Sequence, residues 1–196
     1  MFRQAKLGVA VVAVALSAFS LVASATVLEE VSLEDMALRS DAIVHGVVVS
    51  TGTRLVMDDE GAEPHTLTTI RVIESLKGDL GSTVIVRERG GETQGRGMWI
   101  AGTPRYAVGE EVVVFLERWT TRPNALRTFG MIQGKFRVRH TLGGGPASVE
   151  RDLDGVGFAQ WADDGTMSVE HREAGPAAAL DTFLAFVEGV VHGGGR

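Results

Sequence analysis

The chain has 196 residues, with 25 acidic against 19 basic side chains, a formal net charge of −6 and no cysteine. The acid excess argues against nucleic acid as a partner. The missing cysteines exclude thiol catalysis, cysteine-ligated zinc, lipid attachment through an N-terminal cysteine and covalent cross-links, so stability has to come from burial.

Residues 1–25 read as a secretory signal peptide: Arg3 and Lys6 supply the positive start, Leu7 to Val22 the apolar stretch, and Ala23-Ser24-Ala25 the cleavage box. The expected mature start is Thr26, and the expected location is the periplasm or the extracellular space. No later apolar run is long enough to cross a bilayer, so no membrane span is expected after cleavage. Residues 26–196 suit a single domain with a hydrophobic core.

Ser32 followed by Asp35 predicts an N-capped short helix over Leu33 to Arg39. Ala42 to Thr53 is dense in β-branched residues, with Ile43, Val47 and Val49 on one face and Val44 and Val48 on the other, the pattern of a central strand. Met57 to Pro64 is polar and turn-rich and Thr66 to Leu76 resumes a β pattern, which predicts a hairpin with a long loop. Thr83 to Arg89 alternates, with Val84 and Val86 opposed to Thr83, Ile85 and Arg87.

Gly90 to Gly109 is a long glycine-rich connection around the bulky cluster Met98-Trp99-Ile100, with a short strand expected at Met98 to Ala101. It is the best candidate recognition surface. Glu111 to Glu117 is a continuous apolar strand, and Leu126 to Ile132 with Lys135 to His140 predict a hairpin around Gln133-Gly134. Weaker strands are expected at Ser148 to Leu153, Val156 to Trp161 and Met167 to His171. The period then changes: Leu180, Phe183, Leu184, Val187, Val190 and Val191 form one helical stripe, predicting a C-terminal helix over 176–192.

Catalytic motifs are missing. His45, His65, His140, His171 and His192 stand in no ligand spacing, and a metal site built on them would have to be assembled by the fold. Asp152-Leu153-Asp154-Gly155 and Asp58-Asp59-Glu60 lack the further oxygen ligands of a calcium loop and read as ordinary turn chemistry. Gly90 to Gly97 lacks the Lys-Ser or Lys-Thr of a phosphate loop and leads into no helical pattern. Glu88, Glu92, Glu110 and Glu111 could converge in space as paired carboxylates for acid-base work, and nothing in their spacing decides it. Lys135, Arg137 and Arg139 read as a solvated strand face opposite Phe136 and Val138.

Ser40-Asp41-Ala42-Ile43-Val44, Lys77-Gly78 and Gly109-Glu110-Glu111-Val112-Val113-Val114-Phe115-Leu116 together resemble the netrin-like domain of tissue inhibitors of metalloproteinases and of related bacterial exported proteins. The resemblance covers under half of the mature chain. It implies an OB-type, five-stranded β-barrel with flanking helices. It further implies an exported protein, such as a protease, as the partner. The inhibitors of that family grip a catalytic zinc through an N-terminal Cys-x-Cys, where this chain has Thr26-Val27-Leu28.

The expectation is therefore a mainly β fold with a short N-terminal helix and a C-terminal helix, in the form of an OB/netrin-like, closed or partly open β-barrel. Its expected role is that of an exported, non-enzymatic binding module with no catalytic residue, metal or cofactor assigned. Arg96, Met98, Trp99, Arg105 and Tyr106 are the expected contact residues, because aromatic and Arg side chains carry much of the energy at interfaces. Two alternatives stay open: an exported metal-dependent hydrolase with a site drawn from His45, His65, His140 and nearby acids, and a structural envelope component.

Overall fold

Apolar side chains on both faces of a strand require two cores, and the architecture follows from supplying both. The computed structural model describes residues 26–58, 61–119, 122–141, 143–172, 174–175 and 177–193; the leader expected over 1–25 and the acids at 59–60 lie outside them. In chain order the elements are β1 (Thr26–Glu29), α1 (Leu33–Arg39), β2 (Ala42–Asp58), β3 (Gly61–Lys77), β4 (Thr83–Arg89), β5 (Gly91–Thr93) and β6 (Arg96–Met98). They continue with β7 (Glu111–Trp119), β8 (Arg122–Thr128), a 3-10 turn (Met131–Gly134), β9 (Lys135–Arg139), β10 (Ser148–Glu150), β11 (Val156–Trp161), β12 (Met167–His171), β13 (Ala178–Ala179) and α2 (Leu180–Gly193).

Five strands close on themselves in the order β7-β2-β3-β4-β8 and back to β7, and β9, β10 and β13 extend the sheet from β7. All pairings in the ring are antiparallel except β4 with β8, which run parallel and share, among the described residues, the one register pair Val86 with Leu126. The fold is thus mainly β with a C-terminal helix, as expected. Val44, Val48, Ile70, Val84, Val86, Val112, Val114 and Leu116 fill the ring interior. On the outside, Ile43, Val113 and Phe115 meet Phe136, Val138 and the stripe Leu180, Phe183 and Val187 of α2, with Met36 and Ala37 of α1 beside them. Phe136 and Phe183 are the tightest ring pair there, 4.7 Å between centroids.

Helix α1 has the expected bounds, and Ser32 caps it: its hydroxyl accepts from Asp35 N at 3.0 Å. Helix α2 starts at Leu180 rather than 176, because Ala178 and Ala179 first pair with β10. The expected long loop over 57–64 is replaced by pairing that continues to Asp58 opposite Gly61. Facing threonines extend that ladder: Thr53 and Thr66 hydroxyls lie 3.1 Å apart. The hairpin expected at Gln133-Gly134 does not form. Instead β8 and β9 share the second edge of β7, β8 pairing with Leu116 to Trp119 and β9 with Val112 to Val114. The 3-10 turn between them presses Gly134 onto the Phe129 carbonyl, where no Cβ would fit.

A second sheet, β1-β11-β12, pairs β1 parallel with β11, and a third cluster of Leu153, Val156 and Phe158 lies beneath it with Leu28 and Ile132. Gln133, buried, ties this sheet to the ring: its Oε1 accepts from Val31 N at 2.9 Å and its Nε2 donates to Glu29 O at 3.0 Å. Among the described residues no helix is long and apolar enough to cross a membrane.

Strand β2 bulges at His45/Gly46, where a Cβ on residue 46 would sit 2.5 Å from Arg71 O and 2.7 Å from Ile70 Cγ2. Gly46→Ala should therefore cost about 1–3 kcal/mol in chemical denaturation. Gly52→Ala, in the same strand with nothing within 4 Å of the added carbon, should be neutral or slightly stabilising.

Candidate functional site

The ring interior changes character along its length. Past Val48 and Ile70 the inward positions of β2 and β3 become Thr51, Thr53, Thr66 and Thr68, and past Val84 and Val86 the inward position of β4 becomes Glu88. This polar end is the mouth of the ring, and the glycine-rich segment folds over it. Gly90 and Gly91 have φ of 102° and 120°, and a Cβ at Gly91 would lie 2.5 Å from both the Thr53 and Thr66 hydroxyls. Only glycine lets the backbone leave β4 and cross the threonines this closely. The segment then forms the β5–β6 hairpin, not a phosphate loop, and the expected strand at 98–101 starts earlier and ends at Met98.

Beside the hairpin opens a cleft of about 840 Å³. Four of the five expected contact residues line it: Met98, Trp99, Arg105 and Tyr106. Trp99 stands at the lip, 68% exposed, with the Arg105 guanidinium 4.6 Å from its ring centroid. Arg96 is exposed on β6 outside the cleft lining. Tyr106 points inward: it packs against the ring core, and its hydroxyl lies 2.7 Å from Thr128 Oγ1. Burial pushes the Tyr106 phenol well above the ordinary tyrosine value, with nearby Glu88 adding to it.

Glu88 forms the floor. It is 8% exposed and also lines a second cleft of about 390 Å³ on the Trp119 side. Its Oε1 accepts from Thr128 N at 2.8 Å and from Thr128 Oγ1 at 2.6 Å. Burial raises the Glu88 pKa from 4.5 to about 7, against the lowering effect of the Thr128 hydrogen bonds and the Arg127 charge.

The basic row expected to be solvated is so only at Arg139, which is exposed and paired with Glu150, whereas Arg137 is half-buried and Lys135 is buried. Lys135 is 8% exposed and faces the ring interior, its ammonium bonded to Glu110 Oε1 and Oε2 at 2.8 and 2.9 Å and to the Arg105 carbonyl. Arg137 Nε shares Glu110 Oε1 at 2.5 Å. Register explains the burial: Lys135 and Arg137 pair with Val114 and Val112, which point into the ring. Burial pulls Lys135 below the ordinary lysine value despite its partner. Burial opposes ionisation of Glu110 too, but donation from Lys135, Ala107 N and Arg137 outweighs it and holds the carboxyl below the ordinary range.

Of the histidines, His45 and His140 meet on the outer face, each with Nε2 at 2.8 Å from a different oxygen of Glu111. His65 lies elsewhere, buried against Trp119 with its Nδ1 accepting from Arg87 Nε at 3.1 Å. Among the described residues no group of three or more His, Cys, Asp or Glu is placed to hold a metal ion. The Asp152-to-Gly155 segment makes an Asx turn, Asp154 N donating to Asp152 Oδ1 at 3.2 Å. The four glutamates do not converge as one group: Glu88 and Glu92 line the cleft, Glu110 binds Lys135 and Glu111 faces outward.

No family model, curated protein or solved structure matches the chain. The site therefore rests on its own geometry. Sequence reading passed over Glu88, Thr128 and Lys135 as members of one site, although the alternation Val84-Val86-Glu88 marks the last as an inward carboxylate.

Two outcomes test the polar end. Below about pH 4.5 Glu88 is protonated in both folded and unfolded chains; between 4.5 and 7 only the unfolded chain releases the proton. The Glu88 contribution to stability is thus fully present below pH 4.5 and falls as pH rises through 7, by about 3 kcal/mol. Glu88→Gln should abolish that part of the pH dependence, read as the difference between the denaturation profiles of the two proteins. Glu110→Gln should lower stability by about 2–4 kcal/mol, since it leaves the buried Lys135 charge uncompensated.

Proposed function

We propose that the protein is an exported, non-enzymatic binding module built on an OB/netrin-like barrel, and that it engages an exported protein partner at the mouth of the ring. The observation that carries this reading is the exposed Trp99 stacked under Arg105 at the lip of a cleft of about 840 Å³. A large indole left in water beside a concave, mixed polar and apolar surface is the arrangement of an interface anchor. The antiparallel ring with one parallel closure between β4 and β8 supports the OB-type barrel. Two glycine-enabled elements, the β5–β6 hairpin and the loop to Gly109, supply the long connections through which such a module contacts its partner.

A protease is the partner class that the resemblance implies. Thr26, the expected mature N-terminus, pairs with Val156 in β1–β11, which fixes the residue without a disulfide. That pairing supports a defined position for an α-amino group in this chain.

Trp99→Ala tests the reading. Its side chain is mostly in solvent, so the variant should lose about 1 kcal/mol of stability or less, chiefly the Arg105 contact. Capture of partners from the exported fraction of the protein's own host should fall at least tenfold. A large drop in melting temperature with capture retained would assign Trp99 to packing and overturn its role as an anchor.

A further inference from the structure

Glu88 has two oxygens with different surroundings. Oε1 takes both donors of Thr128, whereas Oε2 has no hydrogen-bond partner among the described residues. The residue is more than nine-tenths buried, yet it lines both clefts and Oε2 is not among the fully enclosed polar atoms. One carboxyl oxygen is therefore left unpartnered on a side chain that lines both clefts. An unmade bond in so dry a position is costly for the protein alone and valuable to a ligand that completes it.

The charges around the cleft select the ligand. Of its cations, Arg89 is held by Glu63 at 3.0 and 2.8 Å, Lys135 and Arg137 share the carboxylate of Glu110, and Arg105 lies on the Trp99 ring at the lip, away from the floor. By contrast Glu92 and Asp154 in the lining make no ion pair among the described residues, while Asp152 lies close enough to Lys135 and Arg137 to favour their charged forms. Open carboxylates around an open carboxyl floor favour a positive group.

We propose that the cleft receives a lysine side chain of the protein partner, whose ammonium donates to Glu88 Oε2. This assignment rests on the binding-module reading above and adds the chemistry of what is recognised. The methylene stem passes Trp99 and Ile100 on the way to the floor, and the ammonium replaces the missing hydrogen-bond donor. Binding then ionises Glu88, so affinity rises with pH up to the range where the ligand amine itself loses its proton. The charged groups acting on Glu88 from other elements are the Arg127–Glu117 pair across β7 and β8; beyond Tyr106, which stays protonated, lies the Lys135–Glu110 pair from β9 and the loop before β7. From its own strand come Arg87 and Arg89.

The test uses a blocked Gly-Gly-Lys-Gly-Gly peptide and its norleucine counterpart, with the Glu88 side-chain carboxyl carbon and the Trp99 indole N–H followed by NMR. At saturation the lysine peptide should lower the Glu88 midpoint, which starts at about 7, by one pH unit or more. That shift corresponds to at least tenfold tighter binding to the ionised form. The norleucine peptide should leave the midpoint unchanged, and Glu88→Gln, which keeps the acceptor for Thr128, should bind the lysine peptide at least tenfold more weakly. Equal affinity of the two peptides, an unmoved midpoint, or no binding of the lysine peptide overturns the assignment. If the indole responds while Glu88 does not, the mouth remains the partner surface and only the lysine assignment falls; the Trp99→Ala capture experiment decides the broader reading independently.

Discussion

Closure of the ring depends on a side chain as much as on backbone. Between β4 and β8 the ladder offers one register pair among the described residues, and the Glu88 carboxyl adds to it by accepting both the N–H and the hydroxyl of Thr128. The buried acid is thereby a structural member first. The same burial that dries this bond and strengthens it also raises the cost of the charge, so one residue carries both the integrity of the seam and the chemical character of the mouth.

The rest of the molecule follows from how β2 and β7 are covered. Their inward residues meet across the ring, and their outward residues need another lid, which β9, α1 and α2 provide through Phe136, Met36 and Phe183. Two cores on opposite faces of the same strands leave little room for the strands to bend independently. That rigidity positions the mouth: Thr53, Thr66 and Glu88 stand at fixed register in three neighbouring strands, and the hairpin above them is located by the Thr66 hydroxyl bond to the Gly90 carbonyl at 2.8 Å. The surface elements that carry Trp99 and Arg105 are therefore loops on a stiff frame.

Periodicity made the frame legible. The clean alternation of Thr83 to Arg89, the two-faced apolar runs of β2 and β7, and the helical stripe from Leu180 to Val191 all appear as read, because burial against a large neighbour enforces each pattern over several residues. Connections were less legible. Sequence around Gln133-Gly134 has the composition of a hairpin turn, but the choice between pairing β8 with β9 and placing both on β7 is made by long-range competition for one edge. Lys135 likewise belongs to an outwardly ordinary alternating strand, and only the register against Val114 turns it into the ring. Part of the candidate site was visible in Met98, Trp99, Arg105 and Tyr106; its floor was not, since the partnership of Glu88 with Thr128 spans forty residues and leaves no local trace.

The parallel pairing of β1 with β11 joins Thr26–Glu29 to residues about 130 positions later, and Gln133 clamps the same strand from a third region of the chain. A polypeptide delivered amino end first holds β1 long before its partner strand exists. Strand β1 stays unseated through most of synthesis, and its docking becomes a late event in acquiring the native state.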